Sequence, residues 1–200
     1  MTDKKTLEFY AKAASLYADK FGAMNGSPML AAFIEHLPPA ARVLDLGCGP
    51  GNASATMAAK GHQPDPIDAS PEMVEIARSQ HGLPARVATF DDDWGSDTYD
   101  GIWASYSLLH ARREAIPGYI AALARALRPG GPLFLGLKLG DGEARDHLGR
   151  HYAYVTEEEL TVWLTAAGLV IVDSRKDIKT GCAGTNDPCI DLIAKAATHA

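Results

Sequence analysis

Three alternating glycines, and an aspartate 21 residues after the first of them, are the residues of this chain best suited to bind a ligand. Gly47, Gly49 and Gly51 directly follow the apolar segment 42–46. Without a Cβ, the backbone there can turn sharply and approach a bound molecule closely. Asp68 ends the next strand-like segment, where a carboxylate can accept hydrogen bonds from both hydroxyls of a ribose. The spacing therefore predicts a site for a molecule that contains a nucleoside.

Two interpretations without a ligand stay open at this stage. The glycines also suit a tight turn from a strand into a helix. Asp68 also suits a role in starting the next helix, where Ser70 fits the N-cap and Pro71 the first helical position.

Strand-like and helix-like segments alternate around these residues. Strands are predicted at 42–46, 86–90, 100–105, 132–139, 169–175 and 189–195. Helices are predicted at 4–20, 28–37, 52–60, 71–80, 114–127 and 156–167. Strands separated by helices favour an α/β fold with a mostly parallel sheet and helices on both of its faces.

The segment 62–68 fits this pattern least well. Pro64 and Pro66 have no N–H to donate to a neighbouring strand, and proline is rare inside central strands. The turn residues on either side still favour a strand here, and we expect it to be short or irregular.

Length and composition favour one globular domain. The chain has 200 residues, of which 46% are hydrophobic and 22% charged, and its net charge is −6. The basic residues are scattered, which disfavours binding to nucleic acid, and no apolar run is long enough to span a membrane. The N-terminus is a poor signal peptide, so we expect a cytoplasmic protein. Three cysteines imply no disulfide framework, and a metal pair at Cys182 and Cys189 is disfavoured by its spacing.

Four segments in order carry a family resemblance: 43–51 (VLDLGCGPG), 67–73 (IDASPEM), 99–105 (YDGIWAS) with 108–110 (LLH), and 127–133 (LRPGGPL). They resemble the motifs of class I S-adenosylmethionine-dependent methyltransferases, and the likeness extends over roughly residues 8 to 195. Pro66 departs from it, because this type of sequence usually has glycine there. That departure concerns the backbone path before Asp68.

The resemblance implies a Rossmann-like three-layer sandwich, with a seven-stranded, mostly parallel sheet whose last strand is antiparallel. It also implies a single methyltransferase domain over residues 1–200. Within it, residues 1–37 would form N-terminal lid helices and residues 38–200 the cofactor-binding core.

The implied cofactor is S-adenosyl-L-methionine. The loop from Gly47 through Gly49 to Gly51 would pass beside its adenosyl and methionine parts, and Asp68 would hold the ribose. Asp45 would meet the cofactor's amino group through water or support the loop amides.

The adenine would lie against residues that follow the second and third strands. Ala69, Met73 and Phe90 would pack near it. Asp91 is favoured over Asp92 to face the adenine amino group, although a solvated acidic loop is the alternative. Ala104, in the third motif, is expected to lie against the cofactor as well.

Two tyrosines of the first helix are further candidates for the cofactor site. Tyr10 and Tyr17 are seven residues apart and share a helix face. A desolvated aromatic face attracts a sulfonium cation by about 2 kcal/mol. The hydroxyls would instead suit the methionine carboxylate, and simple packing of the helix remains an equal alternative.

Methyl transfer is an in-line displacement in which the protein mainly aligns acceptor and methyl carbon. His110 is the candidate base for a hydroxyl acceptor, with a structural or cofactor-side role as the alternative. Arg150 is the candidate partner of an anionic acceptor, unless its loop only faces solvent. We expect an unidentified small molecule as acceptor, and a monomer or homodimer.

Two other functions are alternatives to this one. A nicotinamide-dependent oxidoreductase needs its third glycine one residue later, where Asn52 stands. A non-catalytic module that binds S-adenosylmethionine has no sequence feature against it, and turnover of any acceptor would exclude it.

Overall fold

A computed structural model describes residues 3–21 and 27–196, with side chains for residues 3–14 and 27–196. The helices are α1 Lys4–Phe21, α2 Pro28–Glu35, α3 Asn52–Ala59, α4 Pro71–His81, α5 Ile116–Ala126 and α6 Glu157–Ala166. The strands are β1 Arg42–Leu46, β2 Gln63–Asp68, β3 Arg86–Val87, β4 Gly101–Ser105, β5 Pro132–Lys138, β6 Glu143–Arg145, β7 His151–Ala153, β8 Leu169–Thr180 and β9 Asn186–Ala196. None of the helices, within those described ranges, is both long and apolar enough to cross a bilayer.

The main sheet has seven strands in the order β3-β2-β1-β4-β5-β9-β8. The first five strands in chain order pair in parallel, and β9 runs antiparallel to both β5 and β8. This arrangement confirms the predicted Rossmann-like fold with an antiparallel last strand.

Alternation along the strands builds a core on each face of the sheet. Val43, Trp103 and Phe134 point to the face that α2 and α3 cover, where Phe33 and Met57 are fully buried. Their neighbours along each strand, such as Leu44, Ile102 and Leu133, point to the other face and join the larger core with α5 and α6. The three layers follow from this alternation.

The two prolines of β2, which have no N–H to donate, lie where no neighbouring strand would accept a hydrogen bond from them. The Gln63 N–H donates to the Ala41 carbonyl on the β1 side. Since N–H groups alternate in direction along a strand, Pro64 and Pro66 face the opposite side. There β3 pairs with β2 only from Ile67 onward. The predicted strand is therefore confirmed over 63–68.

Other predicted bounds differ from those of the structure. The third strand is only two residues long, and the hairpin of β8 and β9 extends to residues 180 and 186. Its extension is held by pairing rather than burial, because residues 174–178 are exposed. The hairpin of β6 and β7 was not predicted, since all three residues of β6 are exposed and lack an apolar alternation.

The carboxyl ends of β1, β2, β4 and β5 meet at one edge of the sheet. The tip of the long hairpin reaches the same edge, because Lys138 at the end of β5 pairs with Cys189 of β9. The amino-terminal part of α1 is fastened there as well, by a hydrogen bond between Thr6 and His151. This edge holds the candidate site.

Candidate active site

The three loop glycines have positive φ angles of 77°, 53° and 90°, and they differ in what surrounds them. A Cβ on Gly47 would lie 2.4 Å from the Cβ of Ser107, and one on Gly51 would lie 2.7 Å from a methyl of Leu83. A Cβ on Gly49 would meet no described atom within 4 Å. Packing thus requires Gly47 and Gly51 to be glycine, whereas Gly49 borders open space that a ligand can use.

Asp68 supports both the glycine loop and the start of α4. Its carboxylate accepts hydrogen bonds from the Gly49 N–H at 2.9 Å and from the Ser70 N–H at 2.8 Å. Ser70 caps the helix by accepting a hydrogen bond from the Met73 N–H. Burial raises the pKa of Asp68, although the backbone hydrogen bonds oppose that shift. The capping interpretation is therefore correct in part, and it does not compete with a ligand role, because the carboxylate also lines a cavity.

Two cavities flank the glycine loop. The smaller, of about 90 Å³, is lined by Asp68 and by the predicted residues Ala69, Met73 and Phe90. The larger, of about 570 Å³, includes Asp45 in its lining. Six residues line both cavities and so form their boundary: Tyr10, Gly47, Gly49, Ser105, Tyr106 and His110.

The smaller cavity is covered by α1. At about 90 Å³ it holds only a few water molecules. Thr6, Leu7 and Tyr10 line it from the helix. A nucleoside therefore fits only when these residues move outward.

One buried hydroxyl at the smaller cavity is unused. The side-chain oxygen of Ser107 has no hydrogen-bond partner among the described atoms, although the residue is only 7% exposed. Buried polar groups are seldom left unpaired. A ligand in this cavity is the natural partner for it.

His110 is held by a hydrogen bond at each ring nitrogen. Its Nδ1 lies 2.7 Å from the carbonyl of His151, which only accepts, so Nδ1 carries the proton. Its Nε2 then accepts from the Tyr10 hydroxyl at 2.9 Å. Burial, with nearby cations, lowers the pKa of His110 to about 4. A weak base with both nitrogens engaged favours the structural interpretation of His110.

Arg150 lies in the lining of the larger cavity with its charge already paired. It is 2% exposed, and its guanidinium donates to the Asp146 carboxylate at 2.7 Å. It also donates to the Tyr10 hydroxyl at 3.3 Å and lies 4.8 Å from the ring centre of Phe9. An anionic acceptor would have to compete with Asp146 for it.

Asp45 is buried beside the larger cavity. Its carboxylate accepts a hydrogen bond from the Ser54 hydroxyl at 2.6 Å. Burial raises its pKa to about 7. Asp45 is thus bonded to Ser54 on α3, and its predicted roles towards the loop amides and the cofactor's amino group stay predictions.

Three other predicted cofactor residues, Gly51, Ala104 and Asp91, do not line these two cavities. Gly51 packs against Leu83, and Ala104 lies in the core. Asp91 is exposed and accepts a hydrogen bond from the Tyr119 hydroxyl at 2.7 Å. The side chain of Tyr17 lies outside the described residues.

Sequence reasoning missed four polar residues in the lining of the larger cavity. These are Tyr106, Lys138, Lys179 and Asp191. Tyr106 directly follows β4, and the other three lie on β5, β8 and β9, so no local motif contains them. The available signal was a charge inside an apolar strand, as Lys138 and Asp191 show, because such charges are rarely buried without a function or a partner.

Comparison with known proteins identifies the family. A family model described as a methyltransferase domain matches residues 27–174. The chain belongs to this methyltransferase-domain family. Its membership agrees with the predicted S-adenosylmethionine-dependent class and disagrees with a nicotinamide-dependent oxidoreductase.

Named relatives of this methyltransferase-domain protein include enzymes of ubiquinone biosynthesis. It is 34% identical over 156 residues to the ubiquinone biosynthesis O-methyltransferase of Xanthomonas oryzae pv. oryzae strain PXO99A. The aligned region covers 66% of this chain and 64% of that protein. It is 33% identical to the protein of that name from Xanthomonas axonopodis pv. citri, over 68% of this chain and 65% of the relative. The match thus spans a little under two thirds of these relatives.

Solved structures share the fold. The 1,6-didemethyltoxoflavin-N1-methyltransferase of Burkholderia thailandensis has a TM-score of 0.75 at 25% identity, over 96% of this chain and 88% of that one. Its crystal structure holds 1,6-didemethyltoxoflavin and S-adenosylhomocysteine. A methyltransferase from Methanosarcina mazei, at 20% identity and a TM-score of 0.74, covers 88% of this chain and all of its own, and shows the fold alone. The family model and the ligand of the Burkholderia structure agree with the predicted class of S-adenosylmethionine-dependent methyltransferases.

Proposed function

We propose that this chain transfers a methyl group from S-adenosylmethionine, bound beside the glycine loop, to a small molecule held in the larger cavity. The observation that carries the proposal is the shared boundary of the two cavities. A donor in one and an acceptor in the other meet at this boundary, which is where methyl transfer requires them to meet.

The residues at the smaller cavity fit a nucleoside. Gly49 leaves space for it, Asp68 offers carboxylate oxygens to ribose hydroxyls, and the unused Ser107 hydroxyl offers a further hydrogen bond. S-adenosylmethionine supplies a methyl group on a sulfonium, which is already a good leaving group. The protein is left to bind and align the two reactants.

The larger cavity fits a small acceptor. Its volume of about 570 Å³ lies within the usual range of small-molecule sites. Trp103 and Phe134, stacked at 3.7 Å between ring centres, give it an aromatic floor. One similar protein is named an O-methyltransferase and another an N-methyltransferase. The acceptor atom therefore has to be inferred from the cavity itself.

Calorimetry on two glycine variants tests the donor site. Gly49 and Gly61 both have positive φ and no described atom within 4 Å of an added Cβ, but only Gly49 borders the cavities. We expect Gly49→Ala to weaken S-adenosylmethionine binding about tenfold or more. Gly61→Ala is expected to change it less than about twofold, while both variants lose about 1–2 kcal/mol of stability.

Turnover completes this test. Release of S-adenosylhomocysteine is measured for the wild type with a panel of phenols, amines and thiols. Unchanged affinity in Gly49→Ala would remove the loop from the site. Tight donor binding without turnover of any acceptor would instead support the non-catalytic binding module.

A further inference from the structure

A cluster of three side chains, the Tyr106 cluster, lies on the wall of the larger cavity. The Tyr106 hydroxyl donates to Asp191 Oδ1 at 2.7 Å. Lys179 forms an ion pair with the other oxygen of Asp191, and its Nζ lies 5.0 Å from the ring centre of Tyr106. Asp191 is 7% exposed, so this carboxylate is buried with its charge compensated.

Gly136 lies directly beneath this cluster and leaves space for it. It pairs with Asp191 across β5 and β9. A Cβ on Gly136 would lie 2.9 Å from the ring of Tyr106 and 3.3 Å from Asp191 Oδ1. The absence of a side chain there allows the tyrosine and the aspartate to meet above the sheet.

Tyr106 also holds an unusual backbone conformation. Its φ is 54°, which is uncommon for a residue with a side chain. Such strain concentrates at functional sites. Tyr106 lines both cavities, so this residue stands at the boundary where donor and acceptor are proposed to meet.

The charges around the larger cavity favour an uncharged acceptor. Its cationic lining residues each have an acidic partner within the described chain: Lys138 with Asp187, Arg150 with Asp146 and Lys179 with Asp191. A strongly charged acceptor would have to break one of these pairs. A hydroxyl group needs only hydrogen bonds.

A hydroxyl acceptor usually needs a base, whereas a thiolate does not. His110 is poorly suited, since both of its ring nitrogens are already hydrogen-bonded. Burial and the neighbouring Asp191 carboxylate raise the pKa of Tyr106. The phenol therefore releases its own proton only when it receives one from the acceptor. Its oxygen is thus a candidate to receive a proton as it passes its own to Asp191.

We propose that the acceptor is a neutral hydroxyl compound and that the Tyr106 cluster removes its proton. This inference rests on the proposed function and names the substrate class of that site. The acceptor O–H proton passes to Tyr106 Oη while the Tyr106 proton passes to Asp191. The acceptor oxygen bonds to the methyl carbon as the carbon–sulfur bond breaks, leaving a neutral sulfide. Asp191 later gives its proton to water. Tyr106 is the catalytic residue because it contacts the acceptor. Asp191 acts through Tyr106 by orienting it and taking up its proton, and Lys179 holds Asp191 in place.

The test compares paired acceptors in matched variants. The probes are hydroxybenzenes with one to three hydroxyl groups and thiophenol. Thiophenol loses its proton to water near neutral pH and therefore needs no base from the protein. Tyr106→Phe and Asp191→Asn are compared with Tyr99→Phe. Tyr99 is a matched control because it donates to Asp65 at 2.7 Å beside Arg86, away from the lining of both cavities.

We expect Tyr106→Phe and Asp191→Asn to lower kcat with the best hydroxyl acceptor about 100-fold or more. Their rates with thiophenol should change less than about threefold. Calorimetry should show donor affinity unchanged within about threefold, and weaker binding of the hydroxyl acceptor to Tyr106→Phe in the presence of S-adenosylhomocysteine. Tyr99→Phe should match the wild type in all of these measurements.

Other outcomes overturn the inference. Equal losses with hydroxyl and thiol acceptors would make the cluster structural. A wild type that methylates thiols or amines but no hydroxyl compound would refute the proton relay and leave the proposed function intact. A wild type that binds the donor and methylates none of the probes would count against both.

Discussion

Two aspartates of β2 show how position decides the role of one residue type. Asp65 is partly buried, which by itself would raise its pKa, but hydrogen bonds from Arg86 and Tyr99 outweigh burial and lower it. Asp68, three residues later, accepts hydrogen bonds from backbone N–H groups, and burial raises its pKa. One carboxylate is committed to an ion pair, while the other faces the cavity.

Replacing Asp68 tests the donor site directly. We expect Asp68→Ala to weaken S-adenosylmethionine binding about tenfold or more, because the ribose loses its acceptor and the loop loses its anchor. Asp65→Ala should leave the affinity within about twofold, since Asp65 lines neither cavity in the described chain. Isothermal calorimetry measures both, and equal affinities in the two variants would remove Asp68 from the site.

His110 should make stability depend on pH. Its pKa falls from 6.5 to about 4 on folding, so its contribution is complete above pH 6.5 and is lost as the pH falls towards 4. Tyr10, Arg150, Lys138 and His151 surround the ring. Asp45, with its pKa raised to about 7, acts in the opposite sense, so the wild type alone is uninformative.

We therefore compare the wild type with His110→Asn. Between pH 7 and pH 5 the wild type should lose about 2 kcal/mol more of unfolding free energy than the variant. Urea denaturation at several pH values measures this difference. Parallel pH curves for the two proteins would show that His110 is not held neutral.

The sequence alone predicts part of the proposed donor site but none of the Tyr106 cluster, for a physical reason. Gly47, Gly49 and Asp68 lie in short segments at the ends of neighbouring strands, so their types and spacing carry the signal. Tyr106 and Asp191 are 85 residues apart and meet only because β9 pairs with β5 above Gly136. No local pattern encodes that meeting.

Among the elements, α1 packs against α4 and is also fastened by polar contacts with distant segments. Asp3 pairs with Arg145, and the His151 N–H donates to Thr6 at 2.8 Å. Tyr10 completes the attachment through His110. These partners lie on or beside the hairpin of β6 and β7 and in the turn after β4, so the helix is held over the smaller cavity by side chains from distant segments.

Thr6→Val should loosen this helix. The valine leaves the buried N–H of His151 unpaired, which costs about 1–3 kcal/mol. We expect hydrogen exchange of the α1 amides to speed up about tenfold and association with S-adenosylmethionine to become faster, because the cover opens more often. Thr161→Val on α6, which removes an exposed bond to the Glu157 carbonyl, is the control and should change neither rate.

Patterns of burial explain which elements were predicted. Strands buried on both faces, such as β1 and β5, have continuous apolar sequences and were placed almost to the residue. Strand β6 and the outer half of β8 are held by pairing with their neighbours, while most of their side chains face water. Pairing without burial leaves little trace in composition.

At the scale of the whole molecule, donor binding should stabilise the fold. A ligand at 100 times its Kd adds about 2.7 kcal/mol, which corresponds to a rise in Tm of about 5–10 °C for a chain of this size. S-adenosylhomocysteine should produce this shift and NADH none. Differential scanning fluorimetry measures both, and a larger shift with NADH would contradict the assigned cofactor.

The sheet order also separates the proposed donor and acceptor sites into two halves of the polypeptide. The glycine loop and Asp68 lie on β1 and β2, whereas Lys138, Lys179 and Asp191 lie on β5, β8 and β9, at the other end of the sheet. Exchanging the carboxy-terminal half for that of another family member would change which compound is modified and leave the methyl source as it is. New specificities can therefore arise by remodelling one hairpin on an unaltered nucleoside-binding frame.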